Sequence, residues 1–200
     1  QVEDLGVDLL SVAGHKLYAP KGIGALFIRR GVEVTPLLQG AGHERGQRPG
    51  TENVLHLVGL GKACEIAGEA LAAGEEARLV TLRERLHTGL VSALGADRVV
   101  LNGHATARLP NTLSVGLVGA RADALLGVLD GEVAASAGAA CHADGAEAIS
   151  SVLQAMDVPA AVARGTLRLS LGRHTTADEI DGAVRAIVVA LGQKFKTAPA

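Results

Sequence analysis

Three observations predict an α/β fold. Short apolar runs read as strands, segments with apolar residues at helical spacing read as amphipathic helices, and the two kinds alternate along the 200 residues with glycine and proline between them. Val7 to Ala13 is the first strand candidate and Gly24 to Arg30 (GALFIRR) the second, with Pro20 and Gly22 marking the turn between them. Residues 40 to 50 follow as a positively charged loop, punctuated by Gly40, Gly42, Gly46 and Gly50 and carrying His43, Arg45 and Arg48. A helix is predicted from Thr51, where Leu57, Leu60, Cys64, Ala67 and Leu71 recur at helical spacing, and Ala72 to Gly74 interrupts it. A second amphipathic helix runs from Glu75 to Leu94 through Leu79, Leu82, Leu86, Leu90 and Leu94. The domain change is placed at Gly74, giving segments 1–73 and 74–200.

Beyond it the alternation continues. Strands are predicted at Arg98 to Leu101 and Thr112 to Leu117, a helix at Arg121 to Leu129, and a strand at Glu132 to Ser136. A helix over Glu147 to Met156 and a strand over Leu167 to Leu171 follow, and Thr176 with Glu179 forms a capping box for a last helix reaching Leu191. Alanine richness favours helix over disorder, and no internal repeat is visible.

Composition narrows the function classes. With 48% hydrophobic and 20% charged residues the chain is globular, and at this length it buries a substantial fraction of its surface. A net charge of -2, one Tyr, two Phe and no Trp give neither a phosphate-backbone footprint nor a base-stacking platform, which argues against nucleic acid. Two cysteines, Cys64 and Cys141, are too few for a disulfide scaffold, and no charged head followed by an apolar run opens the chain, so a reduced, cytoplasmic setting is expected. Charges or glycines interrupt every apolar run before the ~18 residues that cross a bilayer, so no membrane partner is expected.

The richest segment chemically is Ser11-Val12-Ala13-Gly14-His15-Lys16, where an apolar strand delivers a glycine, a histidine and a lysine at its exit. A neutral amine held near apolar walls or another cation attacks aldehydes, and a glycine lets the backbone approach a flat ligand closely. Taken alone, a lysine after a strand also reads as a solvated end residue.

Other candidates lie downstream. Cys141 follows Ser136-Ala137-Gly138-Ala139-Ala140, a run of small side chains that leaves the thiol approachable, whereas Cys64 on a helical stripe reads as a small core residue. The alternative for Cys141 is a loop cysteine without a task. His142 is adjacent, but neighbours on an extended loop point to opposite sides, and two adjacent ligands lack the spaced pattern of a zinc site, so no metal is expected. Thr166 to Leu171 alternates polar and apolar residues strictly, placing Arg168 with Thr166 and Ser170 on one face. There it is either a solvated edge arginine or a rigid fork for a carboxylate. Thr51 reads as an N-cap whose hydroxyl proton is left to donate to an anion at the helix start.

The segments DLLSVAGHKLYAPKGIGALFIRR, GHERGQRPGTEN (42–53), SAGAACH (136–142) and TLRLSLGRHTT (166–176) occur in that order. Together they resemble the C-terminal half of the cysteine desulfurases and the related selenocysteine lyases, from Val2 to about Gly192. The resemblance implies the C-terminal portion of the fold-type I pyridoxal-phosphate transferase fold, with residues 1–73 ending the large cofactor domain and 74–200 forming the small C-terminal α/β domain. It implies pyridoxal 5'-phosphate held by Lys16, with His15 contacting the phosphate within the subunit and Thr51 reaching the phosphate of the neighbouring subunit in a homodimer. Cys141 becomes the sulfur-abstracting nucleophile and Arg168 the holder of the α-carboxylate of an amino-acid substrate. A sulfur-acceptor protein or iron-sulfur scaffold would collect the persulfide. His43, Arg45 and Arg48 look like part of the active-site wall at the dimer contact.

Two departures are visible. Ala13 stands where many desulfurases carry a phosphate-binding serine, which removes one hydroxyl contact. The family's ring-stacking histidine and its aspartate for the pyridine nitrogen lie upstream of the lysine motif and neither is assignable here, so a piece of a longer enzyme is expected. Two other readings stand beside desulfuration: a catalytically incomplete module that folds and dimerises, and ordinary class V aminotransferase chemistry, in which Cys141 would be dispensable.

Overall fold

The computed structural model describes residues 2–137 and 149–195, the last three as backbone only. Cys141 and His142 therefore lie outside the described residues. The chain divides into two compact units, Gln1–Ala73 and Gly74–Ala200.

In the first unit a short helix, α1 (Val2–Leu5), leads into β1 (Leu9–Ala13), which pairs antiparallel with β2 (Gly24–Ile28) from Leu9↔Ile28 to Ala13↔Gly24. A 3-10 turn, Gly14–Leu17, joins them, and α2 (Val54–Ala72) packs on that turn. The small core consists of Ala19, Leu60 and Ala63, with Leu17 and Ile23 packed against it.

This packing corrects the expected stripe of α2. Leu57 is 38% and Leu71 66% exposed, and Cys64 is exposed rather than buried. Apolar residues occupy most of the circumference of α2, so spacing alone did not determine its inward face. Small side chains decide it: a Cβ on Gly59 would lie 3.1 Å from Pro20 Cδ, and Ala63 is buried one turn further on. The N-cap is likewise Asn53, not Thr51; Asn53 Oδ1 accepts from the His56 N–H at 3.4 Å.

The second unit is a three-stranded antiparallel sheet in the order β3 (Val99–Leu101), β4 (Thr112–Leu117), β5 (Thr166–Ser170). Leu113 and Val115 of β4 face Leu169 and Leu167 of β5 across the ladder, and all four are buried in the core. Helices α3 (Glu75–Leu94), α4 (Ala122–Leu129) and α7 (Ala177–Phe195) add Leu86, Leu90, Leu125 and Ile187 to the same core. Leu90, Leu125, Leu167 and Ile187 are fully buried, and removing such a side chain costs roughly 2–5 kcal/mol.

The other sheet face carries Gly116, Ser114, Thr166 and Arg168, since side chains alternate along a strand. A Cβ on Gly116 would lie 2.8 Å from the Val162 carbonyl oxygen, so only glycine admits α6 (Ala160–Ala163) here.

Two boundaries in this unit differ from expectation. Glu132 to Ser136 is not a strand, because the N–H groups of Glu132 and Val133 both donate to the Leu129 carbonyl at 3.0 Å and extend the exit of α4. Only Ser136 pairs, through an isolated bridge to Arg168. The helix expected over 147–156 is α5 (Ser151–Ala155) within the described residues. The capping box forms as predicted: Thr176 N–H donates to Glu179 Oε2 at 2.8 Å and Glu179 N–H donates to Thr176 Oγ1 at 3.3 Å. No described helix is long and apolar enough to cross a membrane.

Candidate active site

The lysine turn is built by backbone contacts. The Gly14 N–H donates to the Ile23 carbonyl at 2.9 Å, and the Gly14 carbonyl accepts from Ala19 N–H at 3.1 Å. A Cβ on Gly14 would fall 2.8 Å from Ile23 O and 2.9 Å from Ile23 Cγ2. Gly14 is thus required by the chain's own packing, whereas the sequence reading reserved its bareness for a ligand. Tyr18 closes the turn at φ 64. Held at both ends, the turn leaves His15 and Lys16 exposed, with no hydrogen bond or ion pair from either side chain among the described residues.

Loop 40–50 closes on itself ahead of α2. The Gly50 N–H donates to His43 Nδ1 at 3.3 Å, and Arg48 Nη1 donates to the carbonyls of Pro49 at 3.1 Å and Gly50 at 3.4 Å. His43 and Arg48 thereby shape the backbone that leads into Thr51. Because Asn53 caps the helix, the exposed Thr51 hydroxyl is not spent on capping. Thr51 leads into the helix that packs on the Lys16 turn, so His15, Lys16 and Thr51 all belong to the first unit.

Arg168 belongs to the second unit, at the middle of β5. It is half-buried, and its guanidinium has no hydrogen-bond or ionic partner among the described residues. The alternation read from the sequence holds, with Leu167 and Leu169 inward and Arg168 on the opposite face.

A residue missed by the sequence reading holds the turn after this strand. Arg78 donates to the carbonyls of Thr175 at 2.8 Å, Arg173 at 3.0 Å and Gly172 at 3.1 Å, while its Nε donates to Glu75 Oε2 at 2.7 Å. The i,i+3 pair with Glu75 was visible in the sequence; the carbonyls, more than ninety positions away, were not. The hydrogen bond from Arg78 holds the Glu75 carboxyl below the usual range, against the raising effect of burial. A depressed carboxylate contributes stability above its unfolded value, near 4.3, and loses it as pH falls through the folded value. Glu75→Gln is expected to lower the thermal midpoint at pH 7 by a few degrees, an effect that fades as the pH falls through the depressed folded value, by calorimetry across pH.

The class-V aminotransferase family profile matches residues 1–182. The chain belongs to that family. It is 47% identical over 176 residues to cysteine desulfurase 2 of Trichormus variabilis, covering 88% of this chain and 43% of that protein. It is 44% identical over 198 residues to selenocysteine lyase of Homo sapiens, covering 96% and 44%. Among solved structures, a NifS-like protein from Rickettsia africae superposes with a TM-score of 0.83 at 27% identity, covering 96% of this chain and 49% of that one. Another NifS-like protein gives a TM-score of 0.79 at 35% identity, covering 96% and 48%. The chain spans about half the length of the curated relatives it matches. The α/β fold is that of part of a NifS-like enzyme.

Proposed function

We propose that the protein uses pyridoxal 5'-phosphate to remove sulfur from cysteine, or selenium from selenocysteine, leaving alanine and a persulfide on its own Cys141. Lys16 carries the reading: an exposed amine without a partner among the described residues, on a turn fixed at both ends, in a class-V aminotransferase chain with relatives named cysteine desulfurase and selenocysteine lyase. The first unit would end the large cofactor domain and the second would be the small domain.

The donor set suits the cofactor. Lys16 offers a free amine for its aldehyde, His15 an exposed imidazole on the same turn, and Thr51 an unspent hydroxyl just ahead of a nineteen-residue helix, where an anion is favoured. When bound, the cofactor supplies an electron sink for the charge left on the substrate α-carbon. Lys16 Nζ would hold the cofactor and, once free, would take the α-proton. Arg168 grips the α-carboxylate with two parallel N–H donors. The Cys141 thiolate attacks the substrate sulfur: an S–S bond forms, the C–S bond breaks, its electron pair stays on the β-carbon, which takes a proton from solvent, and Lys16 Nζ returns a proton to the α-carbon to complete alanine.

The persulfide passes to an acceptor such as an iron-sulfur scaffold. The setting is cytoplasmic. The functional unit is a homodimer in which Thr51 serves the neighbouring subunit's phosphate; exposed Val54, Leu55 and Val58, immediately after Thr51 on α2, support a covered face there.

The test is chemical. With cysteine, one sulfur atom should appear on Cys141 by mass spectrometry, with alanine as product. A keto acid without persulfide would indicate transamination instead. Arg168→Lys should raise KM for cysteine about tenfold and leave the cofactor spectrum unchanged, because the lost element is the bidentate geometry and not the charge. An unchanged KM would make Arg168 a surface residue of the strand.

A further inference from the structure

We infer that Ser136 is a positioning residue for Arg168, its hydroxyl accepting one guanidinium N–H so that the remaining donors face the substrate carboxylate. The inference rests on the reading of Arg168 as the carboxylate holder. It starts from the ladder: Arg168 N–H donates to the Ser136 carbonyl at 2.7 Å, and Ser136 N–H donates to the Arg168 carbonyl at 3.2 Å. Residues paired directly in this way carry their side chains on the same face, as neighbours. Ser114 is paired with Arg168 on the other side, through β4. Arg168 is therefore flanked by two serines.

Their hydroxyls differ in what they already do. Ser114 Oγ accepts from Asn102 Nδ2 at 3.2 Å, and the same amide donates to Thr166 Oγ1 at 3.1 Å, which in turn donates to the Val162 carbonyl at 3.1 Å. That side of the row is engaged in holding β3, β4 and α6 together. Ser136 Oγ is buried and has no hydrogen-bond partner among the described residues. A buried hydroxyl without a partner is costly, and solvent does not reach this one, so a protein donor is the group that can satisfy it. Arg168 is the cross-strand neighbour with donors to spare. A guanidinium has five N–H groups in a rigid fork; giving one to Ser136 fixes its plane and still leaves a parallel pair for a carboxylate. The short bridge at Ser136, isolated where a full strand was expected, delivers this one side chain.

The experiment uses the cofactor-loaded protein and two probes read by the cofactor absorbance: L-alanine, and ethylamine, which is the same amine without the carboxylate. Ser136→Ala should weaken L-alanine about tenfold, the loss expected for one hydrogen bond to a charged group, while ethylamine stays within about twofold. Ser136→Thr, which keeps a hydroxyl at this position, should restore L-alanine binding. In an Arg168→Lys background, Ser136→Ala should add nothing further. Additive losses, or equal weakening of both probes, would overturn the proposal. An Arg168→Lys effect on L-alanine with none from Ser136→Ala would overturn the Ser136 role alone. If Arg168→Lys leaves the preference for L-alanine over ethylamine intact, the carboxylate reading of Arg168 falls and the Ser136 role falls with it.

Discussion

Lys16→Ala is expected to abolish covalent cofactor attachment and to lower turnover by at least about 10²-fold, the contribution of a positioned proton-transfer group alone. The cause is local. The side chain stands on a turn whose backbone is fixed by Gly14, Ile23 and Ala19, so truncation removes the amine without disturbing the turn. Lys16 is exposed and contributes nothing to the small core of Ala19, Leu60 and Ala63, so folding should be preserved. Borohydride reduction followed by peptide mapping checks the assignment, with the label expected at residue 16. A label that persists in the variant, or maps to another lysine, would remove Lys16 from the site.

That turn also marks how far the sequence could be read. The strand, the glycine and the exposed basic pair were legible because apolar runs and glycine punctuation are local signals. The reason for the glycine was not, since its neighbour Ile23 arrives through a hairpin. Arg168 was legible to its face, because strict alternation fixes which residues share a side of a strand. Its row was not: Ser114 and Ser136 come from segments 54 and 32 positions away and reach Arg168 through ladder pairing. The misreadings have the same origin. Cys64 was assigned inward from spacing on a helix apolar nearly all round, and Thr51 was assigned the cap two residues before Asn53, which holds it. Reciprocal local chemistry, as in the Thr176–Glu179 capping box, was read correctly because both partners lie within one turn.

The two cysteines should separate completely under substitution. Cys141→Ala is expected to eliminate persulfide formation and alanine release from cysteine while leaving cofactor absorbance intact, because the thiolate is the only group in the proposed reaction that can accept the sulfur atom. Lys16 and Arg168 would still bind and orient the substrate, so the α-proton should continue to exchange with solvent deuterium in the variant, measured by NMR. Exchange without desulfuration would place the Cys141 attack after proton removal. Cys64→Ala gives the contrast. The thiol is exposed on α2 and outside the first unit's core, so the change should shift stability by no more than about 0.5 kcal/mol and leave alanine formation unaltered. A thiol on an uncovered helix surface can still be alkylated, so labelling with iodoacetamide before cysteine is added should mark Cys64 in the Cys141→Ala protein. Sulfur recovered on Cys64 after incubation with cysteine, or undiminished alanine release from Cys141→Ala, would transfer the nucleophile's role away from Cys141.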